Sequence, residues 1–300
     1  MTTYRRGTAA DSEPCFRVFE AAISDLGQRT GTIASSPGNE PWPWEIRRSL
    51  FDHLALTADE WWIAENDSPA IVGYARSIER DGTRELTEFF VHPAAQAGGV
   101  GRELLARAFP VAGARHRSII ATIDNRAVSR YLRSGLAGRL PIAGFEATPR
   151  SVAIETDLVR EPIVATDRTL EALAMIDRSL LGFRRDVDHR WLATDRTGWL
   201  YRRAGEPAAY GYHQGTEGWG GPYAALEAED LPVILADAET AAFESGHAAV
   251  YFAVALVART AIDHLFARGF RVDPFLMLFF TDGPIDGLDR YVLTSPPFFL

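Results

Sequence analysis

The 300 residues are about twice the ~150 of a typical domain, and 47% are hydrophobic against 24% charged, so two folded domains are expected and a long disordered tract is not. A formal net charge of −9 repels phosphate backbones and anionic lipid, which argues against nucleic acid and membrane surfaces as partners. All 31 basic residues are arginine and the single cysteine, Cys15, has no partner for an internal disulfide, so lysine chemistry is excluded and a reducing, cytoplasmic setting is expected.

In chain order, MTTYRRGTAADSEP has no apolar run after its arginines, and no later apolar stretch reaches ~18 residues, so neither a signal peptide nor a membrane span is expected. Residues 11–27 carry Phe16, Phe19, Ala22, Ile23 and Leu26 at helical spacing, and Gly27 reads as the stop. Residues 30–43 are rich in Gly, Ser and Pro, with Trp42 and Trp44 either side of a proline. They suit an ordered loop on aromatic anchors, one that could also close over an amine. A second helix follows at 45–56. Short runs at 61–64, 70–78 and 85–91, separated by Asn66-Asp67-Ser68-Pro69 and Asp81-Gly82, predict an antiparallel meander. The pattern then changes to helix (101–109), strand (118–123) and helix (126–134), which implies a parallel strand pair.

The order returns in weaker form. WLYRRAGEPAAYGY (199–212) echoes WWIAENDSPAIVGY (61–74), with Gly211-Tyr212 matching Gly73-Tyr74. Strand 248–256 and a helix at 259–267 before Gly269-Phe270 echo strand 119–123 and the helix ending at Gly135-Leu136. A repeat of this length implies a duplicated domain. The polar segment ETDLVREPIVATD (155–167) separates the two patterns, so domains are expected at 1–158 and 163–300.

The strongest local signal is FFVHPAAQAGGVGRELL (89–105): a strand ending at Val91, a turn at Pro93, then a glycine-rich loop running into a helix. Backbone N–H groups in such a loop point one way and the helix N-terminus adds roughly half a positive charge, so a pyrophosphate would fit. Gly99 and Gly101 allow close backbone approach, and Arg102 adds a donor. On spacing alone, a strand-to-helix turn with no ligand is an equal reading. No Walker Gly-Lys-Ser/Thr follows, and a strand from an antiparallel meander does not suit a Rossmann unit.

These residues resemble the pyrophosphate motif of the GNAT family of N-acetyltransferases, Gln/Arg-x-x-Gly-x-Gly/Ala after a strand ending in Val-x-Pro. Gln96, Gly99 and Gly101 match in turn, and the likeness extends over most of residues 1–155. The family's next motif is similar to DNRAVSRYLRSGL (124–136): Tyr131 and Gly135 match, Leu136 replaces the usual Phe, and Asp124 holds the usual Asn position, with Asn125 one place late. The resemblance implies an α/β (α+β) protein of two GNAT-like domains, each a mixed, mostly antiparallel sheet flanked by helices. It implies acetyl-CoA as acyl donor, no metal, and Phe90, Val91, Gln96, Ala97, Gly98, Gly99, Val100, Gly101, Arg102 and Asn125 as cofactor-binding residues.

Direct acetyl transfer from a thioester to an amine needs one group to accept the ammonium proton and another to protonate the leaving thiolate. Similar enzymes use the helix tyrosine as that acid, which makes Tyr131 the candidate; the plain alternative is a tyrosine anchoring its helix to the sheet. For the base, Glu88 lies three residues before Val91. Strand period two puts it on one face with Leu86 and Phe90, where apolar company would raise its pKa. It could equally bind a cationic substrate or be a solvated edge residue, and a bulge would change its facing.

Asp186-Val187-Asp188-His189 mimics a metal cluster but reads as a helix cap and surface turn. The remaining histidines show neither HExxH spacing nor a Gly-x-Ser-x-Gly partner. In the second copy, GGPYAALEAEDLPVILADA (220–238) has no glycine motif, Leu265 stands where Tyr131 does, and Ala258 where Asp124 does. That half resembles the degenerate C-terminal halves of tandem GNAT proteins, which supply pocket walls or a dimer contact. The terminal SPPFFL is a packed strand or an interface. The expectation is an N-acetyltransferase, monomer or homodimer, acting on a primary amine. The acidic pI of about 5.3 favours a small cationic acceptor such as a polyamine or aminoglycoside. The alternatives are a non-catalytic acyl-CoA-binding regulatory or partner-binding protein, and a scaffold with an empty glycine loop.

Overall fold

The computed structural model describes residues 1–31, 43–67, 70–213 and 220–294; Trp42, Ser68-Pro69 and the terminal SPPFFL lie outside the described residues. From the N-terminus the elements are β1 (Thr3–Arg6), α1 (Ser12–Thr30), α2 (Trp44–Thr57), β2 (Glu60–Glu65), β3 (Ile71–Arg80), β4 (Thr83–Val91), α3 (Val100–Ala108), β5 (His116–Thr122), α4 (Asn125–Arg133) and β6 (Ala137–Ala147). The same succession of strands and helices returns as β7 (Val159–Pro162), α5 (Asp167–Leu180), α6 (Asp186–Asp195), β8 (Thr197–Arg203), β9 (Glu206–His213), β10 (Tyr223–Ala225), α7 (Leu231–Glu244), β11 (Val250–Ala255), α8 (Arg259–Ala267) and β12 (Arg271–Thr281). One further strand, β13 (Tyr291–Leu293), has no counterpart in the first series.

Contacts divide the chain into two compact units, Met1–Ala137 with Phe280–Gly283, and Gly138–Phe279 with Pro284–Leu300. This division differs from the sequence boundary at 158–163, because each repeat keeps a piece of chain that follows the other. β6 belongs to the second unit through antiparallel pairing with β11, from Ala147↔Val250 to Ile142↔Ala255. The segment after Phe279 belongs to the first, where the Asp282 carboxylate accepts from the Arg117 backbone N–H and Nε, both at 2.7 Å.

In the first unit β1 to β4 form an antiparallel meander, and β5 pairs parallel to β4. The β3–β4 hairpin turns on Asp81 (φ 48°) and Gly82 (φ 83°), the left-handed pair that suits the twist of a two-residue turn. α1 does not stop at Gly27, as its sequence suggests, but at Gly31 in the left-handed region with φ 72°. Leu26 and Gly27 are buried, and packing there outweighs the ~1 kcal/mol that an interior glycine costs a helix. α1 lays Cys15, Phe16 and Val18 against Phe51 of α2 and Trp61, Ile63 and Tyr74 of the sheet.

A bulge breaks the β3–β4 register: Arg76 lies opposite Glu88 and Ser77 opposite Leu86, which leaves Thr87 without a partner and turns Leu86 to the other face. Glu88 therefore shares its face with Phe90, Tyr74 and Arg76, not with Leu86, contrary to the simple alternation read from the sequence.

The second unit has the antiparallel run β7-β8-β9-β10. There β13 pairs antiparallel with β10 on one side and β11 on the other, so it fills the place between two strands whose counterparts, β4 and β5, pair directly. α6 begins at Asp186 as a cap would, and Val187 is exposed, but Asp188 and His189, expected in a surface turn, are fully buried.

Candidate functional site

The parallel pairing of β4 and β5 is limited to Thr83↔His116, Arg84↔Arg117 and Glu85↔Ser118. Beyond it the strands part around an open cleft of about 210 Å³. Leu86, Thr87, Phe89, Phe90 and Val91 wall it on one side and Ile119, Ile120, Ala121 and Thr122 on the other. Parted strands leave edges that can hydrogen-bond a ligand bearing amides. Ala22, Ile23, Leu26 and Arg29 of α1, Arg126, Ala127, Arg130 and Tyr131 of α4, and Gln96, Ala97, Gly99 and Gly101 complete the lining.

The glycine loop sits at one end of this cleft. Gly99, with φ 85°, precedes the first residue of α3, and Ala97 adopts φ 69°, a conformation that costs a non-glycine residue roughly 1 kcal/mol or more. Among the described residues the backbone N–H groups of Ala97, Gly98, Gly99, Val100 and Gly101 donate to no acceptor. Five successive free donors at a helix N-terminus make an anion cradle. Gln96 fixes its rim: Nε2 donates to the Val91 carbonyl at 3.0 Å, and Oε1 accepts from Arg126 at 2.6 Å. A Cβ on Gly101 would stand 3.1 Å from Phe89 Cζ, so this glycine also serves the packing of α3 on β4. Arg102 is 75% exposed, and among the described residues its side chain pairs only with Glu103, at 3.5 Å.

Tyr131 is buried in the cleft wall, with its ring 6.3 Å from Phe89 and 5.4 Å from Phe280. Its hydroxyl makes no hydrogen bond among the described residues. Burial, and then the charge of Asp124, push that hydroxyl well above its ordinary pKa, so at neutral pH it holds its proton and can donate it.

Asp124 caps α4 by accepting from Arg126 N at 2.9 Å and also pairs with Arg29 at 2.9 Å. Burial raises its pKa, but hydrogen bonds from Arg126, from the backbone and from Arg29 outweigh it and hold the carboxyl below its usual value. Asp124 lines the cleft; Asn125 is exposed and does not. The aspartate works as an N-cap as well as asparagine does, which accounts for Asp at this position.

Glu88 is buried and is not part of the cleft lining. Its Oε1 accepts from the Tyr74 hydroxyl at 2.9 Å and its Oε2 lies 3.2 Å from Arg76 Nε. Burial pushes its carboxyl up, against the Arg76 charge and the Tyr74 hydrogen bond. Its chain neighbours Thr87 and Phe89 do line the cleft.

Sequence reasoning singled out neither Arg29, Arg126 nor Arg130. The last two stand one helical turn apart on α4, which is their only local signal. Among the described residues of the second unit the corresponding features are absent. Leu265 is buried on α8, Ala258 precedes that helix, and the start of α7 holds a carboxylate of its own, Asp230, paired with Arg203 at 2.8 Å. Among the described residues no group of three or more His, Cys, Asp or Glu is arranged to hold a metal ion, and no helix is long and apolar enough to cross a membrane.

No curated protein matches the sequence. Among solved structures, a candidate acetyltransferase from Pyrococcus horikoshii is similar with TM-score 0.74 and 17% identity, covering 97% of this chain and 92% of that chain. A GCN5-related N-acetyltransferase from Sphaerobacter thermophilus gives TM-score 0.62 at 16% identity, covering 95% and 97%. A tandem GNAT protein from the clavulanic acid biosynthesis pathway gives 0.60 at 14%, covering 95% and 100%. At these identities the likeness is one of fold, and it runs over both units. Residues 27–136 match the acetyltransferase (GNAT) family, and this segment contains the parted strands, the cradle and Tyr131.

Proposed function

We propose that the first unit binds acetyl-CoA and transfers its acetyl group to a primary amine by direct attack. Members of the family pass an acyl group from acetyl-CoA to an amine. The observation that carries the reading for this chain is the meeting, at one cleft, of a run of five backbone donors, two parted strands and a tyrosine hydroxyl, donors and hydroxyl alike without a partner among the described residues.

In this reading the N–H groups of residues 97–101, with Arg102, hold the pyrophosphate, and the strand edge at Phe90 and Val91 hydrogen-bonds the donor's amides. Asn125 is a rim contact at most, since Asp124 faces the cleft instead. The amine nitrogen attacks the thioester carbonyl, the C–S bond breaks, and Tyr131 gives its proton to the departing thiolate. Glu88 is the proposed acceptor of the ammonium proton, relayed by water past Thr87, and burial suits it by raising its basicity.

We further propose that the two repeats meet at 158–163 and that the second is non-catalytic. β13 between β10 and β11, and Asp230 at the start of α7, support one donor site per chain. Calorimetric titration of acetyl-CoA into the wild type and into Gly98→Asp tests this. Gly98 needs no left-handed backbone, and a Cβ there meets only the Ala95 carbonyl, at 3.8 Å, so the variant adds a negative charge to the cradle with little strain. One site per chain, lost in the variant, is expected. Two sites overturn the reading of the second unit, and no binding to the wild type overturns the assignment.

A further inference from the structure

We infer that the segment Phe280–Gly283 is a clasp that aims the Tyr131 hydroxyl, with Phe280 and Asp282 as positioning residues for the proton transfer; this rests on the acetyl-transfer reading above. Although it lies near the end of the described chain, this segment belongs to the first unit. It grips the helix that carries Tyr131 in two independent ways.

The need for a clasp follows from Tyr131 itself. Proton transfer requires donor and acceptor within hydrogen-bond reach, and a misplacement of about 1 Å slows an enzyme on the order of a hundred-fold. Among the described residues no hydrogen bond fixes the hydroxyl, so its aim is set by what holds the ring and what holds the helix. α4 has 9 residues, and Tyr131 is the one buried among them. So short a helix with a single buried side chain has little packing of its own to fix its place. Its first turn is tied through Asp124, Arg126 and Gln96, but Tyr131 stands in the last.

The last turn is where the segment takes hold. Phe280, fully buried, meets the Tyr131 ring edge-on with centroids 5.4 Å apart, closer than Phe89 at 6.3 Å, a geometry that aromatic pairs prefer. Asp282 grips Arg117 of β5: its carboxylate accepts from the Arg117 backbone N–H and Nε, both at 2.7 Å, and its own N–H donates to the Arg117 carbonyl at 3.2 Å. Held so, Arg117 Nη2 donates at 2.9 Å to the carbonyl of Ser134, the residue that closes α4. Carbonyls at a helix end lack internal partners, and a guanidinium there satisfies one and offsets the negative end of the dipole. The Arg117 side chain is 4% exposed, so its reach is fixed by packing. Gly283 lets the chain pass, since a Cβ there would overlap the His116 ring. One grip sets the ring and the other sets the helix end.

The test is a double-mutant cycle on the full chain, with thiol release from saturating acetyl-CoA followed using hydroxylamine, phenethylamine and spermidine as acceptors, net of the uncatalysed reaction. Phe280→Leu is expected to lower turnover roughly ten-fold, and Asp282→Asn, which keeps the shape but drops the charge facing Arg117, about three-fold. The Asp282 side chain is 26% exposed, so its variant carries the test if the buried Phe280→Leu does not fold. Calorimetric Kd for acetyl-CoA should stay within about two-fold of wild type, because the cradle and the Arg126 tie meet the other end of α4. In a Tyr131→Phe background neither change should alter turnover by more than about two-fold, because the group each one aims is already gone. Equal falls in both backgrounds assign the segment to packing alone and overturn the clasp while acetyl transfer stands, and so does wild-type turnover in both variants. A Tyr131→Phe protein as fast as wild type overturns the acid role of Tyr131 and the clasp with it. Bound acetyl-CoA with no thiol release to any of the three acceptors overturns acetyl transfer itself.

Discussion

Arg126 on α4 donates to Gln96 Oε1 at 2.6 Å, and Gln96 Nε2 donates in turn to the Val91 carbonyl at 3.0 Å. Two bonds thus tie the helix bearing Tyr131 to the rim of the anion cradle and to the end of β4. Arg126→Ala cuts the tie and removes a positive charge from the cleft, while Asp124 keeps Arg29. A hydrogen bond involving a charged group contributes about 1.5–3 kcal/mol. The Kd for acetyl-CoA is therefore expected to rise roughly ten-fold, with kcat at saturating donor changing far less. Calorimetry and steady-state kinetics check both; a lowered kcat at unchanged Kd would move Arg126 from donor binding to the chemical step.

Tyr131→Phe separates chemistry from packing unusually well. The hydroxyl holds no hydrogen bond among the described residues, so its removal is expected to change stability by no more than about 0.5 kcal/mol and to leave the ring contacts with Phe89 and Phe280 intact. If the hydroxyl protonates the leaving thiolate, kcat should fall about 10²–10⁴-fold with acetyl-CoA affinity retained. Because the folded-state pKa is raised, no loss of activity from Tyr131 ionisation is expected up to about pH 10. Turnover within two-fold of wild type would leave the tyrosine as a helix anchor.

Glu88 acts as a base only when ionised, and burial raises its pKa above the ordinary glutamate value of 4.5. Activity should thus be present above that raised pKa and fall away as pH drops through it, a limb distinct from the acceptor's own ionisation at higher pH. Glu88→Gln keeps a group that can accept from Tyr74 but cannot take a proton. It is expected to lower kcat and abolish the acidic limb. The reading fails if the limb persists unshifted in the variant.

How much could be read beforehand differs from residue to residue for physical reasons. The cradle was legible because a loop of free N–H groups at a helix start needs glycine at fixed spacing, and Gly99 indeed requires the left-handed region. The place of Tyr131 on a helix beside the glycine loop was legible from the motif it resembles. Thr87 was not: a bulge depends on how β4 meets β3, and nothing local marks it. The pairing of Arg29 with Asp124 joins residues far apart in sequence, and the place of β13 between β10 and β11 is set by three residues near the end of the described chain. Tertiary packing also carried α1 past Gly27. Local pattern revealed what local geometry demands, and long-range pairing hid the rest.

The least expected cluster lies in the second unit. Asp177 of α5 is fully buried, with its carboxylate 2.8 Å from Arg185 Nε and 2.8 Å from His189 Nε2, and it accepts from the Tyr210 hydroxyl at 2.5 Å. Burial alone would raise its pKa, but the charge of Arg185 and the contacts with His189 hold it well below the ordinary 3.8. A folded-state pKa below the unfolded one means stabilisation that is present above pH 3.8 and lost as pH falls beneath it. Asp177→Asn keeps the shape and leaves Arg185 buried without its counter-ion, which typically costs about 3–5 kcal/mol. Urea unfolding at neutral pH should register that loss in the midpoint. The gap between variant and wild type should then close as the pH is lowered from about 5 toward 2, where Asp177 of the unfolded wild-type chain takes up its proton while the folded carboxylate stays ionised. A gap that stays constant over that range would assign the loss to packing, because the other carboxylates titrate in both proteins and cancel in the difference.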